Sequence, residues 1–213
     1  MVCKLDHLSI IAPTLEEGVK HVRESLDIDI PFGRKHVDMG THNHLLSLGE
    51  SAYLEVIAVD TEATAPSLPR WFGLDDSSTV RKAWDQGRRL RGWVASTRDI
   101  DRLLIKHGSL LGEKRRLFGG ISEFFFSVPY DGSLPMEGAA PSLIDRLGRE
   151  PSIPPHAQLG CTLASVRLAH PQFEVLQNLI ADLSVVNAPQ LAFGESFRMA
   201  LVVDTPSGEK SLR

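Results

Sequence analysis

Alternating apolar and polar residues across CKLDHLSIIAP (3–13) predict a β-strand that stops at a proline, and CTLASVRLAHP (161–171) repeats the pattern at matching offsets. A helical period follows each one. After the first, TLEEGVKHVRESLDI places Leu15, Val19, Val22 and Leu26 on one face, with Thr14 and Glu17 spaced as a capping box; after the second comes QFEVLQNLIADLSVV. Short apolar runs then read as strands over KHVDMG, HLLSLG and SAYLEVIAVD, punctuated by Gly40 and Gly49, so the first unit reads β-α-β-β-β.

A middle copy starts at RLRGWVAST (89–97), passes through a helix RDIDRLLIKHG that Gly108 is expected to close, and continues through ISEFFFSVP to APSLIDRL (140–147). The predicted organisation is α+β. One βαβββ module spans residues 1–60, a connecting cap 61–88, a second module with its linker 89–158, and a third, compact module 159–213. In the cap, Trp71, Phe72 and Trp84 are expected to pack together; the prolines of GREPSIPPHAQ favour an extended linker; the last hairpin turns at Pro206 to Gly208.

Composition narrows the partners. With 213 residues, 42% of them hydrophobic, the chain can bury a sizeable core, and a formal charge of -4 without a basic run gives no footprint for a nucleic-acid backbone or an acidic membrane surface. There is no bilayer-length apolar run and no secretory pattern in MVCKLDHLSIIAP, so the expectation is a cytoplasmic protein whose two cysteines, Cys3 and Cys161, are free buried thiols. The partner is expected to be a small molecule. Walker, dinucleotide-binding, nucleophile-elbow and C-x-x-C patterns are all missing, which sets aside nucleotide hydrolysis and serine-type acyl transfer.

Two polar residues interrupt apolar rows. Alternation assigns Leu5, His7, Ser9 and Ile11 to one face of the first strand, and Tyr53, Glu55, Ile57 and Val59 to one face of the fourth. Burying an unpaired carboxylate costs several kcal/mol, so Glu55 needs a proton, a cation or a donor. His7 is the nearest candidate in the pattern: the two could form a plain buried ion pair, or start a divalent-metal site.

At these residues, LDHLSIIAPTLEEG, GTHNHLLSLG and YLEVIAVD, and more loosely GWVAST and APSLID, the chain resembles the glyoxalase-like branch of the vicinal oxygen chelate superfamily. The resemblance implies two βαβββ modules curled into a cup, with metal ligands drawn from the first and last strand of each. Carried onto this chain, the ligand positions are His7 and Glu55 in the first module and Trp93 and Asp145 in the second. Tryptophan cannot ligate, which leaves His7, Glu55 and Asp145 for zinc, iron, manganese or nickel, with Glu55 as the base of an isomerase, lyase or dioxygenase acting on a small oxygenated substrate. In the third unit Ser165 and Ala200 take the corresponding places, so that unit reads as structural.

The departure at Trp93 opens a second implication: a metal-free protein that sequesters a small molecule against aromatic walls, with Trp93 as one of them. A purely structural pairing of Glu55 with His7 is a third. His42 and His44 in THNH invite a zinc reading, but Asn43 favours a turn, so His42 and Asn43 are expected at the rim of the cup as substrate contacts. Asp145 could instead pair with Arg149 at helical spacing. The clusters Arg88, Arg89, Arg91 and Lys114, Arg115, Arg116 read as solvated faces, or as anion contacts if they rim the cup. The unpaired edge of a third unit leads us to expect a homodimer.

Overall fold

The computed structural model describes residues 2–50, 52–119 and 122–213; Ser51 and Ile121, which open two of the expected strand segments, lie outside them. The first module runs β1 (Cys3–Ile11), α1 (Leu15–Leu26), β2 (Phe32–His36), β3 (Thr41–Ser47) and β4 (Tyr53–Val59). Thr14 caps α1 by accepting the Glu17 N–H at 3.2 Å. Of KHVDMG only Lys35 and His36 are strand: Val37–Met39 make a single tight turn that ends at Gly40, whose φ of 55° a side chain would strain.

The connecting segment contains a helix the apolar pattern does not reveal, α2 (Ser77–Asp85), started by Asp76, whose carboxylate accepts the Thr79 N–H at 2.9 Å. The second module follows as β5 (Leu90–Ser96), α3 (Ile100–Leu111), β6 (Glu113–Gly119), β7 (Ser122–Val128) and β8 (Ser142–Asp145). Helix α3 runs through Gly108 and closes at Gly112 instead, because Leu111 continues the buried face for one more turn and a mid-helix glycine costs only about 1 kcal/mol. The EKRRLFG cluster is a strand, and SLID is a strand rather than a helix start, which removes the helical pairing of Asp145 with Arg149.

Among the described residues these strands form one strongly curled sheet in the order β2-β3-β4-β1-β5-β8-β7-β6. Strand β1 lies parallel to β4 and antiparallel to β5, and β5 lies parallel to β8, so each module contributes the same parallel pair to a half-barrel. The helices cover its outer face, where Leu8, Val22, Leu54, Leu103 and Leu143 share one core; Ile11, Ile57, Val94, Phe126 and Ile144 cluster on the inner face.

The third unit, β9 (Thr162–His170), α4 (Phe173–Leu183), β10 (Val185–Val186), β11 (Gln190–Phe193), β12 (Arg198–Thr205) and β13 (Gly208–Leu212), forms its own sheet in the order β11-β9-β12-β13. Its β10 leaves that sheet and pairs in parallel with Cys3 and Lys4 at the start of β1. Both cysteines are free and buried. No described helix is long and apolar enough to cross a membrane.

Candidate functional site

The site begins with an irregularity in β1. Opposite β5, Leu5 faces Ala95 and His7 faces Val94, so Asp6 is an extra residue, a β-bulge. The bulge resets the alternation. Leu5 packs outward with Leu8 and Ile10, not on the face of His7 as unbroken alternation predicts, and the consecutive residues Asp6 and His7 come to touch.

Asp6 and His7 are both buried, and Asp6 Oδ1 lies 2.6 Å from His7 Nδ1. Arg146, just beyond β8, grips the same carboxylate from the other side, with Nη2 2.9 Å from Oδ1 and Nη1 on Oδ2. Burial alone pushes the Asp6 carboxyl up, but the hydrogen bond and charge of His7 and the Arg146 guanidinium outweigh it and hold the group at about 2. An ionised Asp6 can only accept, so the hydrogen at Nδ1 belongs to His7 and the other ring nitrogen, Nε2, faces the cup. The imidazole stacks on the Tyr53 ring at 4.5 Å, and Arg146 donates to the Tyr53 hydroxyl at 3.2 Å, so ring plane and tautomer are both fixed.

Glu55 is the next neighbour. Its Oε2 lies 3.6 Å from His7 Nε2 and accepts from Ser9 Oγ at 3.1 Å; Oε1 accepts from Asn43 Nδ2 at 2.7 Å. Asn43 is itself held on three sides. Its Oδ1 accepts the Arg34 N–H at 2.8 Å, and its amide also approaches His36 Nε2 at 3.3 Å, while His36 Nδ1 reaches Thr41 Oγ1 at 3.0 Å. Burial, acting against the nearby Glu55 charge, pushes His36 down to about 4, so it is a neutral acceptor for Asn43. A bulge at Gly33 makes the Arg34 contact possible: a Cβ there would sit 2.4 Å from Asn43 Oδ1.

These groups floor a cavity of about 350 Å³. Trp71, Phe72, Phe124 and Phe126 wall it, and Arg34 and Arg149 stand at it with the segment that follows β8. The expected packing of Trp71 with Phe72 is present at 5.7 Å, but as a wall of the cup, while Trp84 belongs to the outer core.

Of the residues singled out in the sequence, the structure brings His7, Glu55 and Asn43 together. Asn43 sits mid-strand in β3, not in a turn, and its neighbour His42 points to the opposite face, opposite Lys35 and outside the cavity lining. Trp93 and Asp145 also miss the cup. Trp93 is 1% exposed in the outer core, its indole N–H bound to the Ala139 carbonyl at 2.8 Å, and the Asp145 carboxylate accepts the Leu147 N–H at 2.8 Å. Register explains both. The residue opposite His7 is Val94, and the inner-face residue of β8 is Ile144, so the second-module positions read from the sequence are each one residue off, and one residue inverts the face.

The ligand set expected from four strands therefore does not assemble. The second module offers Val94 and Ile144, and among the described residues no group of three or more His, Cys, Asp and Glu side chains is arranged to hold a metal ion. His7 and Glu55 are two donors where three or four are needed. Asp6, Arg146 and His36 were not singled out in the sequence. The one signal for Asp6 is an Asp directly before the histidine of an inner row, and nothing along the chain marks Arg146 as its partner 140 positions away.

A glyoxalase-like domain model matches residues 5–184. No curated protein matches the chain in sequence. Among solved structures, a hypothetical protein from Staphylococcus aureus shares the fold with a TM-score of 0.55 at 12% identity, over 93% of this chain and 88% of that one. Weaker likenesses include methylmalonyl-CoA epimerase from Streptomyces coelicolor, at 19% identity and a TM-score of 0.40 over 69% of this chain and 96% of that one. The methylmalonyl-CoA epimerase of Mycobacterium tuberculosis stands at 20% and 0.39, over 66% and 86%.

Proposed function

The chain belongs to the glyoxalase-like domain family, and from the floor of its cup we propose that it is a proton-transfer enzyme, an isomerase or lyase acting on a small oxygenated molecule. One observation carries the reading: His7, its Nδ1 held 2.6 Å from an ionised Asp6, presents Nε2 to the cavity 3.6 Å from the Glu55 carboxylate. Two groups able to take and return a proton stand side by side, each fixed by buried partners, at the bottom of a site whose walls are aromatic.

In this reading His7 Nε2 removes a proton from a carbon next to a carbonyl, and the Asp6 carboxylate stabilises the imidazolium that forms, as an orienting acid residue does for a general base. The imidazolium then returns that proton at the adjacent carbon, while Glu55, aimed by Ser9 and Asn43, takes the proton of the neighbouring hydroxyl and gives it back to the other oxygen, so two protons leave and two return. Removing water from the apolar side strengthens both interactions.

The aromatic walls, Trp71, Phe72, Phe124 and Phe126, favour a second reading, a protein that sequesters an apolar ligand without changing it. Solvent exchange separates the two. A panel of 2-oxo and 2-hydroxy carbonyl compounds is incubated with the protein in deuterium oxide and followed by proton NMR. The enzyme reading expects deuterium at one carbon of at least one compound, with the rate lost at least a hundredfold in His7→Gln or Glu55→Gln and the fold kept by circular dichroism. Ligand binding without exchange across the panel would overturn it in favour of sequestration.

A further inference from the structure

Among the described residues, two cations at the cup have no ion-pair partner. Arg34 leaves β2 at the Gly33 bulge, and its Nη2 donates to the Ser152 carbonyl at 2.5 Å; Arg149 donates through Nη2 to the Glu123 carbonyl. Each guanidinium is held by a neutral oxygen, and neither makes an ion pair among the described residues. The cavity's carboxylates do not neutralise them. Glu55 is taken up by Ser9, Asn43 and His7, Glu123 pairs with Arg116, and Glu150 forms no ion pair with either arginine. The third arginine of the lining, Arg146, is spent on Asp6.

An arginine carries five N–H donors in a planar fork, and one carbonyl uses one of them. Both side chains are thus oriented by a backbone contact while most of the fork stays available, which suits them to a planar, two-oxygen anion. Trp71, Phe124 and Phe126 line the same cavity as these arginines, His7 and Glu55. The Trp71 indole N–H is buried without a hydrogen-bond partner among the described residues, so this wall holds one further donor.

We propose that the cup takes a small aromatic or conjugated carboxylic acid, its carboxylate held by Arg34 and Arg149 and its planar body against Trp71, Phe124 and Phe126. This names the substrate class for the proton-transfer reading and rests on that site. The carboxylate lies at the arginines, and the carbon framework reaches towards His7 Nε2 and Glu55.

Calorimetric titration of the full chain with benzoate, and with benzamide as its neutral isostere, tests this. Benzoate is expected to bind at least tenfold more tightly than benzamide, with an affinity that falls as salt is raised. In the double variant Arg34→Gln, Arg149→Gln the preference for benzoate disappears while benzamide binding stays, and Arg34→Lys, Arg149→Lys restores part of it. The benzamide titration shows that the double variant still has its cup. Equal binding of the two probes, binding of neither, or a benzoate preference that survives the double variant would overturn the assignment. His7→Gln separates this claim from the catalytic one: it removes the proposed base, so loss of solvent exchange with benzoate binding intact supports both readings. A protein that binds benzoate through the arginines and exchanges no proton with any substrate keeps the anion site and rejects the enzyme.

Discussion

The two modules of the large sheet share an order of elements and differ on the surface they turn inward. The first presents His7, Asn43, Tyr53 and Glu55, with Ser9 behind the last; the second presents Val94, Phe124, Phe126 and Ile144, with Glu123, Arg146 and Arg149 as its charged lining. The first half holds the proposed proton-transfer groups; the second surrounds them with apolar side chains and sends Arg146 across to hold Asp6. An electrostatic contact gains strength as its surroundings lose dielectric, so the apolar half contributes to the chemistry of the polar half without touching a proton. The repeated backbone fixes where inner positions fall, and only the side chains there decide which half acts and which half seals.

The polar network of the first half can be broken most severely from the second, at Arg146. Arg146→Met leaves the buried Asp6 charge with His7 alone, and stability in urea should fall by about 3–5 kcal/mol, the usual result of removing one partner of a buried pair. Asp6→Asn, Arg146→Met together should recover part of that loss; a single Arg146→Met variant as stable as the parent would show that the pair contributes little.

Acid attacks the same half next. His36 is folded with its proton affinity pushed down to about 4, so between the unfolded value near 6.5 and 4 the unfolded chain binds more protons and stability drops as pH falls, by at most about 3 kcal/mol. Asp6, held at about 2, keeps its contribution above the unfolded carboxylate range and loses it between about pH 4 and 2. Unfolding midpoints measured from pH 7 to 3 should show the first decline, and His36→Gln should flatten it.

The difference between the modules can also be erased. Val94→His with Ile144→Glu puts an imidazole and a carboxylate on the inner positions of the second module, and the double variant should bind zinc at least tenfold more tightly than the parent by calorimetry. Trp93→His with Asp145→Glu, one residue away on each strand, should not. Metal binding by the second pair and not the first would reverse the register argued here.

Smallest is the expected effect at Trp93 itself. Trp93→Phe removes a buried hydrogen bond to Ala139 and should cost about 1 kcal/mol of stability while leaving benzoate affinity unchanged, because the ring lies outside the cup. Trp71→Leu should lower benzoate affinity and stability together, because that ring is both a wall of the cup and part of the buried inner cluster.

These contrasts mark what the chain discloses by itself. The repeat of strand, helix and strands is written in periodicity and prolines, and His7 and Glu55 stand out because a polar residue in an apolar row is conspicuous. The positions that misled are those where one residue inverts the face. Trp93 and Asp145 are as buried as ligands would be, and only strand pairing tells the inner side from the outer. The Asp6 bulge is invisible to alternation because it breaks alternation. Arg146 and His36 act through contacts with residues distant along the chain, and they look like any other arginine and histidine.

The two-residue strand Val185–Val186 ties the end of α4 to Cys3 and Lys4, just ahead of the bulge. A chain emerging from a ribosome can complete its cup sheet by residue 145, yet the segment that carries Asp6 and His7 lacks its last neighbour for some forty residues more. The C-terminal unit has no residue in the cavity lining, yet its two-residue strand extends the sheet beside the strand that carries Asp6 and His7.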